Sequence, residues 1–242
     1  MSQRMDMETM DGQRETVRIG RNLLVLCFCM VLIFASSVLD GPAAQWMRDT
    51  GTDAVVRRHW LAKVVKAPGT YWCTLVVAGG LWALHRLKWQ AGGLMCLSGL
   101  AALSNSVGKW VFGRARPFKL VGVMEQPAVY EPHWFIHGWR GLFEQKDLAF
   151  PSGHACTAFA AATAAAILLP KWRWAFYACA ALVGAERVAE NAHYVSDVVA
   201  GAALGILGMR LTAWIAAERV RKHEVRKAAE LVKLGVSQAN HE

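Results

Sequence analysis

Phe150-Pro151-Ser152-Gly153-His154 opens directly into the uncharged apolar run Ala155 to Leu169, and the reading of that junction decides the fold. Proline, serine and glycine in this order make a turn that starts a helix. The first N–H groups of a helix have no intrahelical partner, and glycine lets an oxyanion approach the backbone, so the junction is a seat for a phosphate. His154 stands beside that seat with a proton to exchange. A Pro-Ser-Gly turn is also an ordinary helix start, and its companions elsewhere in the chain must decide between the two readings.

Outward from this turn the chain is apolar. Of 242 residues, 55% are hydrophobic and 11 are Trp, with a mean hydropathy of +0.24, too apolar for a soluble domain with a polar surface. Six runs approach the ~20 apolar residues that a bilayer crossing requires. They are Leu23 to Leu39, Thr70 to Leu84, Ala91 to Phe112, Ala155 to Leu169, Trp174 to Ala189 and Asp197 to Ala217. The expected fold is all-α, a polytopic membrane bundle of six transmembrane helices plus interfacial helices. Residues 1–22 form a cytoplasmic N-terminal segment, 23–217 the bundle, and 218–242 a basic cytoplasmic tail.

The first run ends in Ala35-Ser36-Ser37 like a signal peptide, but the long polar leader and the later spans favour an uncleaved signal anchor. Between the first two spans, Val56, Trp60, Leu61, Val64 and Val65 recur at helical spacing opposite Arg57, Arg58, Lys63 and Lys66, the pattern of a helix lying among headgroups. Phe135, Trp139, Leu142 and Phe143 in the long connection 113–150 repeat likewise, and that helix either roofs a site or anchors the loop.

The net charge of +9 resides at the ends of apolar runs and in the tail, which fits anionic headgroups and not nucleic acid. All six cysteines fall inside apolar runs without metal-ligand spacing, so they read as small buried hydrophobes with no disulfide. With the N-terminus inside, an even number of spans puts both termini in the cytoplasm, and Lys and Arg are slightly more numerous on that side.

One result needs no orientation. The third span ends, the fourth begins, the fifth ends and the sixth begins on the same membrane face. Those ends carry Lys109 and Arg116, then Ser152, Gly153 and His154, then Arg187, His193 and Asp197. Two guanidinium forks, an ammonium and a helix N-terminus bind a phosphoryl group and stabilise the charge of its transfer, without requiring a metal. Two imidazoles suit a two-step displacement. His193, with Asp197 four residues on to orient its ring, is the candidate nucleophile, and His154 the candidate acid for the leaving alkoxide and base for water.

The set Lys109-x6-Arg116-Pro117, Pro151-Ser152-Gly153-His154 and Arg187-x5-His193-x3-Asp197 resembles the three-part signature of the type 2 phosphatidic acid phosphatase superfamily, which also includes vanadium-dependent haloperoxidases. The resemblance covers Lys109 to Asp197. It implies that Lys109, Arg116, Arg187, Ser152 and the Gly153 amide hold the phosphate, with His193 the nucleophile, Asp197 its partner and His154 the acid. In one departure, Glu186 stands where the family has Ser, and it either faces away or braces Arg187 or Lys109. Arg114 either touches substrate or caps the third helix, and His133 with His137 is either an interfacial pair or the start of a metal site.

The expectation is therefore a multi-pass inner-membrane phosphatase acting at the extracytoplasmic leaflet without a cofactor. Its substrate would be a lipid phosphate or diphosphate: undecaprenyl diphosphate, phosphatidate, phosphatidylglycerophosphate or lipid A phosphate. A phosphotransferase using the same site is the runner-up, and a catalytically silent lipid-binding protein the alternative from another class. Charges at helix ends instead of mid-membrane argue against a transporter.

Overall fold

A computed structural model of the chain describes residues 20, 22–84, 93, 98–99, 105–112, 114–120 and 148–239. The described residues are helical, with α1 at Asn22–Ser37, α2 Asp40–Asp49, α3 Thr52–Arg58, α4 Trp60–Lys66, α5 Tyr71–Leu84, α6 at 105–112, α7 Gly153–Leu168, α8 Arg173–Ala189 and α9 Val195–Ala239. Among them the single β feature is an isolated antiparallel bridge between Ala115 and Leu148. The interfacial segment around Phe135 to Phe143, and His133 and His137, lie outside the described residues.

The apolar runs coincide with helices wherever they are described. Among the described residues α9 alone is long and apolar enough to cross a bilayer, and α1 with α2 makes a second candidate if their 42° bend is taken as one broken span. Six crossings are therefore not established by helix length. Helix α7 has 16 residues and α8 has 17, near 25 Å each at about 1.5 Å per residue. Large apolar side chains point outward all the same. Phe34 on α1 is 77% exposed, Trp72 on α5 78% and Trp174 on α8 71%, faces that lipid tails would cover.

The helix expected around Val56 to Val65 is two helices, broken at His59, whose backbone turns extended (φ −77°, ψ 132°). The His59 ring accepts the Leu61 N–H at 3.3 Å and so caps α4. Trp60, Leu61 and Val64 remain exposed, consistent with an interfacial face. Helix α9 runs unbroken for 45 residues, from Val195 past Glu218.

The centre is α7, flanked by α8 and α9. Its alanines allow backbones to meet. A Cβ at Gly201 would lie 2.4 Å from the Ser152 carbonyl oxygen, and one at Gly205 would lie 2.3 Å from that of Cys156. Gly201-x3-Gly205 thus forms a groove on α9 that receives the first two turns of α7, the close packing that substitutes for hydrophobic driving force in lipid. On the other flank, Phe159, Phe176 and Tyr177 close over Ala158, Ala162, Ala180 and Val183. The Tyr177 hydroxyl bonds that of Thr163 at 3.1 Å.

Candidate functional site

The three sequence-separated segments meet at the N-terminus of α7. The Ala149 N–H donates to the Arg114 carbonyl at 2.7 Å, which joins the chain after α6 to the chain before α7. The Ser152 N–H donates to the Asp197 carbonyl at 2.9 Å, which joins that turn to α9. A Cβ at Gly108 would come within 2.9 Å of the Pro151 ring, so α6 lies directly on the turn. These contacts bring Lys109, Ser152, Gly153, His193 and Asp197 together, with all but Gly153 buried.

Ser152 caps α7, its Oγ accepting the Ala155 N–H at 3.5 Å. The hydroxyl proton remains available to a ligand. A Cβ at Gly153 would lie 4.0 Å from the Lys109 Nζ, which places the ammonium over the start of the helix. His154 lies in electrostatic range of Arg187, His193, Lys66 and Lys109. Arg116 stands in the same range of both Lys109 and His193.

His193 sits in the turn before α9 and is 2% exposed. Its Nδ1 is 2.8 Å from the Ala149 carbonyl oxygen. A carbonyl only accepts, so Nδ1 carries the proton and Nε2 carries the lone pair. Burial pushes the imidazole pKa below its usual value, against the opposing pull of Asp197, and keeps the ring neutral. The lone pair of the ring is thus on Nε2.

The expected His193–Asp197 pair is looser than its spacing suggested. His193 precedes the helix, so the i, i+4 geometry of a helix face does not apply, and Nδ1 stands 3.7 Å from Asp197 Oδ2. That oxygen accepts the Tyr194 N–H at 2.8 Å, closing the end of α9 as the returning half of a capping box does. The other carboxylate oxygen accepts from Arg114 Nη1 at 2.7 Å.

Arg114 is a hub of side-chain contacts in this conformation. It also donates to Ser196 Oγ at 2.8 Å and to Asp40 Oδ2 at 2.9 Å, and its guanidinium lies 3.8 Å above the Tyr194 ring. Asp40 in turn accepts the Ser196 N–H at 2.9 Å. Two carboxylates therefore meet the positive end of α9 and share one guanidinium.

Glu186 braces Arg187 and does not face away. Arg187 donates to it through Nε at 2.7 Å and Nη2 at 2.9 Å, and Nη2 also pairs with Glu190. Lys66 of α4 reaches Glu190 at 3.8 Å. A phosphate that uses the Nε and Nη2 edge of Arg187 must therefore displace a carboxylate. Gly69 presses on His154 so closely that a Cβ there would be 2.8 Å from its carbonyl oxygen, which ties the α4–α5 corner to the site.

Asp40, Ser196, the Ala149 carbonyl, Lys66 and Glu190 were not legible as site residues. Each is a single ordinary residue at a helix end or in a turn, and no short-range pattern links Asp40 to Ser196 across 156 positions.

Over 65 residues the chain is 51% identical to a lipid A 1-phosphatase of Rhizobium johnstonii, a match covering 27% of each protein. It is 42% identical over 71 residues to a lipid A 1-phosphatase of Porphyromonas gingivalis, covering 28% of this chain and 16% of that one. The matched stretch thus spans about a quarter or less of these relatives' lengths. Among solved structures, a PAP2-type phosphatidylglycerolphosphate phosphatase from Bacillus subtilis aligns at a TM-score of 0.49 and 22% identity, covering 81% of this chain and 96% of that one. Aquifex aeolicus LpxE aligns at a TM-score of 0.43 and 20% identity, covering 64% and 87%. The PAP2 superfamily profile matches residues 87–221, more than half the chain and the whole of the site's three signature segments, and the protein belongs to that superfamily.

Proposed function

We propose that this protein is an integral-membrane phosphatase that removes a phosphate from the head of a lipid through a phosphohistidine on His193. The observation that carries the reading is the meeting of Lys109, Ser152-Gly153-His154 and His193 at the N-terminus of α7, with His193 held by the Ala149 carbonyl so that Nε2 keeps its lone pair.

In the first step the phosphoryl oxygens are held by Lys109, Arg116, Arg187, the Ser152 hydroxyl and the first N–H groups of α7. His193 Nε2 attacks phosphorus and the bond to the lipid oxygen breaks. His154 gives its proton to the leaving alkoxide. In the second step a water loses a proton to His154 and attacks phosphorus, the P–N bond breaks, and inorganic phosphate leaves. Asp197 stabilises the imidazolium through its charge, and Arg114 with Asp40 holds that carboxylate in place.

Three relatives named for lipid A 1-phosphatase activity match this chain, which favours a lipid A phosphate monoester over the other lipids considered. In the proposed topology six spans place this rim at the extracytoplasmic leaflet of the inner membrane and both termini in the cytoplasm, with residues 23–217 as the catalytic unit and the basic end of α9 near anionic headgroups.

The test is phosphate release by the detergent-purified protein, in EDTA, from lipid A, phosphatidate, phosphatidylglycerophosphate and undecaprenyl diphosphate. The proposal expects release from lipid A in EDTA and its loss in His193→Ala. No release from any of the four, or full activity in the variant, overturns it.

A further inference from the structure

Beside the signature residues, among the described residues, a buried side-chain amide has a bond still to make. Asn105 lies one turn before Lys109 on α6 and is 3% exposed. Residues four apart share a helix face, so amide and ammonium point the same way. A Cβ at Gly153 would lie 3.1 Å from Asn105 Nδ2 and 4.0 Å from Lys109 Nζ, so the two groups flank the start of α7 together. Asn105 Oδ1 is buried and has no hydrogen-bond partner among the described residues. Leaving such an atom unpaired costs about 1–3 kcal/mol, and folded proteins rarely accept this without a ligand or water to complete the bond.

We propose that Asn105 is a further phosphoryl-binding residue, whose carboxamide bonds the group held between Lys109 and the first turn of α7. Nδ2 donates to a phosphoryl oxygen, while Oδ1 accepts the P–OH of a monoanion. Rotation of the amide about its last bond exchanges the two atoms, so the same position serves the dianion with a donor. The assignment rests on the site being a phosphoryl-transfer centre, and it adds a carboxamide to a set otherwise made of cations, imidazoles, a hydroxyl and backbone N–H.

A purely structural role makes the opposite prediction for one substitution. If the Asn105 oxygen only caps α7, Asn105→Asp keeps the cap and adds a charge that a helix N-terminus favours. If the amide binds phosphate, the same isosteric change sets a carboxylate against the anion. The experiment compares wild type, Asn105→Asp and Asn105→Ala in detergent, reading inhibition by orthovanadate, kcat and KM on the lipid substrate, and the rise in Tm on adding orthovanadate.

Both variants should weaken orthovanadate inhibition, Asn105→Asp at least tenfold and more than Asn105→Ala, and both should lose most of the Tm rise. Orthovanadate inhibition within twofold of wild type in Asn105→Asp overturns the assignment. Should Asn105→Asp not fold, an unchanged Tm rise in Asn105→Ala overturns it equally. A wild type that neither hydrolyses lipid phosphate nor responds to orthovanadate refutes the phosphatase reading itself. A responsive wild type with indifferent variants refutes only the role of Asn105.

Discussion

Replacing Arg114 with Met removes the one cation shared by Asp40 and Asp197. The side chain is 11% exposed, and its partners are 6% and 0% exposed, so the pair belongs to the interior. Three donated bonds are lost, to Asp197, Ser196 and Asp40, along with the stack on Tyr194. Methionine fills much of the volume but leaves two carboxylates facing each other at one helix end. Breaking a buried pair by removing one partner costs about 3–5 kcal/mol. For a chain of this size that corresponds to a Tm lowered by about 6–20 °C. The assay is thermal unfolding in detergent by intrinsic Trp fluorescence. The double variant Arg114→Met/Asp40→Asn removes one uncompensated charge and should recover about 1–2 kcal/mol, a coupling that independent sites would not show. Arg114→Lys keeps the charge without the fork and should fall between. A Tm within 2 °C of wild type for Arg114→Met would refute the view that this guanidinium holds the end of α9.

Other predictions follow from the same geometry. Gly205→Ala sets a methyl 2.3 Å from the Cys156 carbonyl oxygen, so α7 and α9 must separate; overpacking of this kind costs about 1–3 kcal/mol, read as a lowered Tm with reduced phosphate release. Glu186→Gln removes the charge that competes for Arg187 Nε and Nη2, and should tighten product inhibition by inorganic phosphate about threefold to tenfold. The acid limb of the pH profile follows from His193. Attack needs the neutral ring, and burial lowers its pKa from 6.5, so the neutral form persists below that value and kcat/KM should fall only as pH drops through the lowered pKa. An acid limb centred above 6.5 would contradict this.

How much could be read in advance depended on whether a feature was local or long-range. The start of α7 was legible because Pro151, Ser152 and Gly153 encode a turn and cap within a few residues. Lys109, His154, Arg187 and His193 were expected together because each lies at the end of an apolar run, and the structure sets His154 in electrostatic range of the other three. Partner choice at that rim was not legible. Asp197 was expected beside His193 on a helix, yet His193 precedes α9 and its ring bonds the Ala149 carbonyl, a backbone group with no signature in sequence. Asp40 follows the first apolar run with no local pattern to mark it, and only the fold brings it to Ser196 and Arg114. The break at His59 was missed because the apolar spacing from Val56 to Val65 persists across it, while the backbone does not.

The account rests on His193 taking the phosphoryl group, and trapping that intermediate tests it most directly. Wild-type protein would be mixed with lipid A carrying ³²P in its phosphate, quenched within the first turnover in alkali, where a phosphohistidine survives, and digested. Label on the peptide containing His193, absent from the His193→Ala variant, is the predicted result. Label on another residue, or phosphate release that persists without His193, would contradict the account.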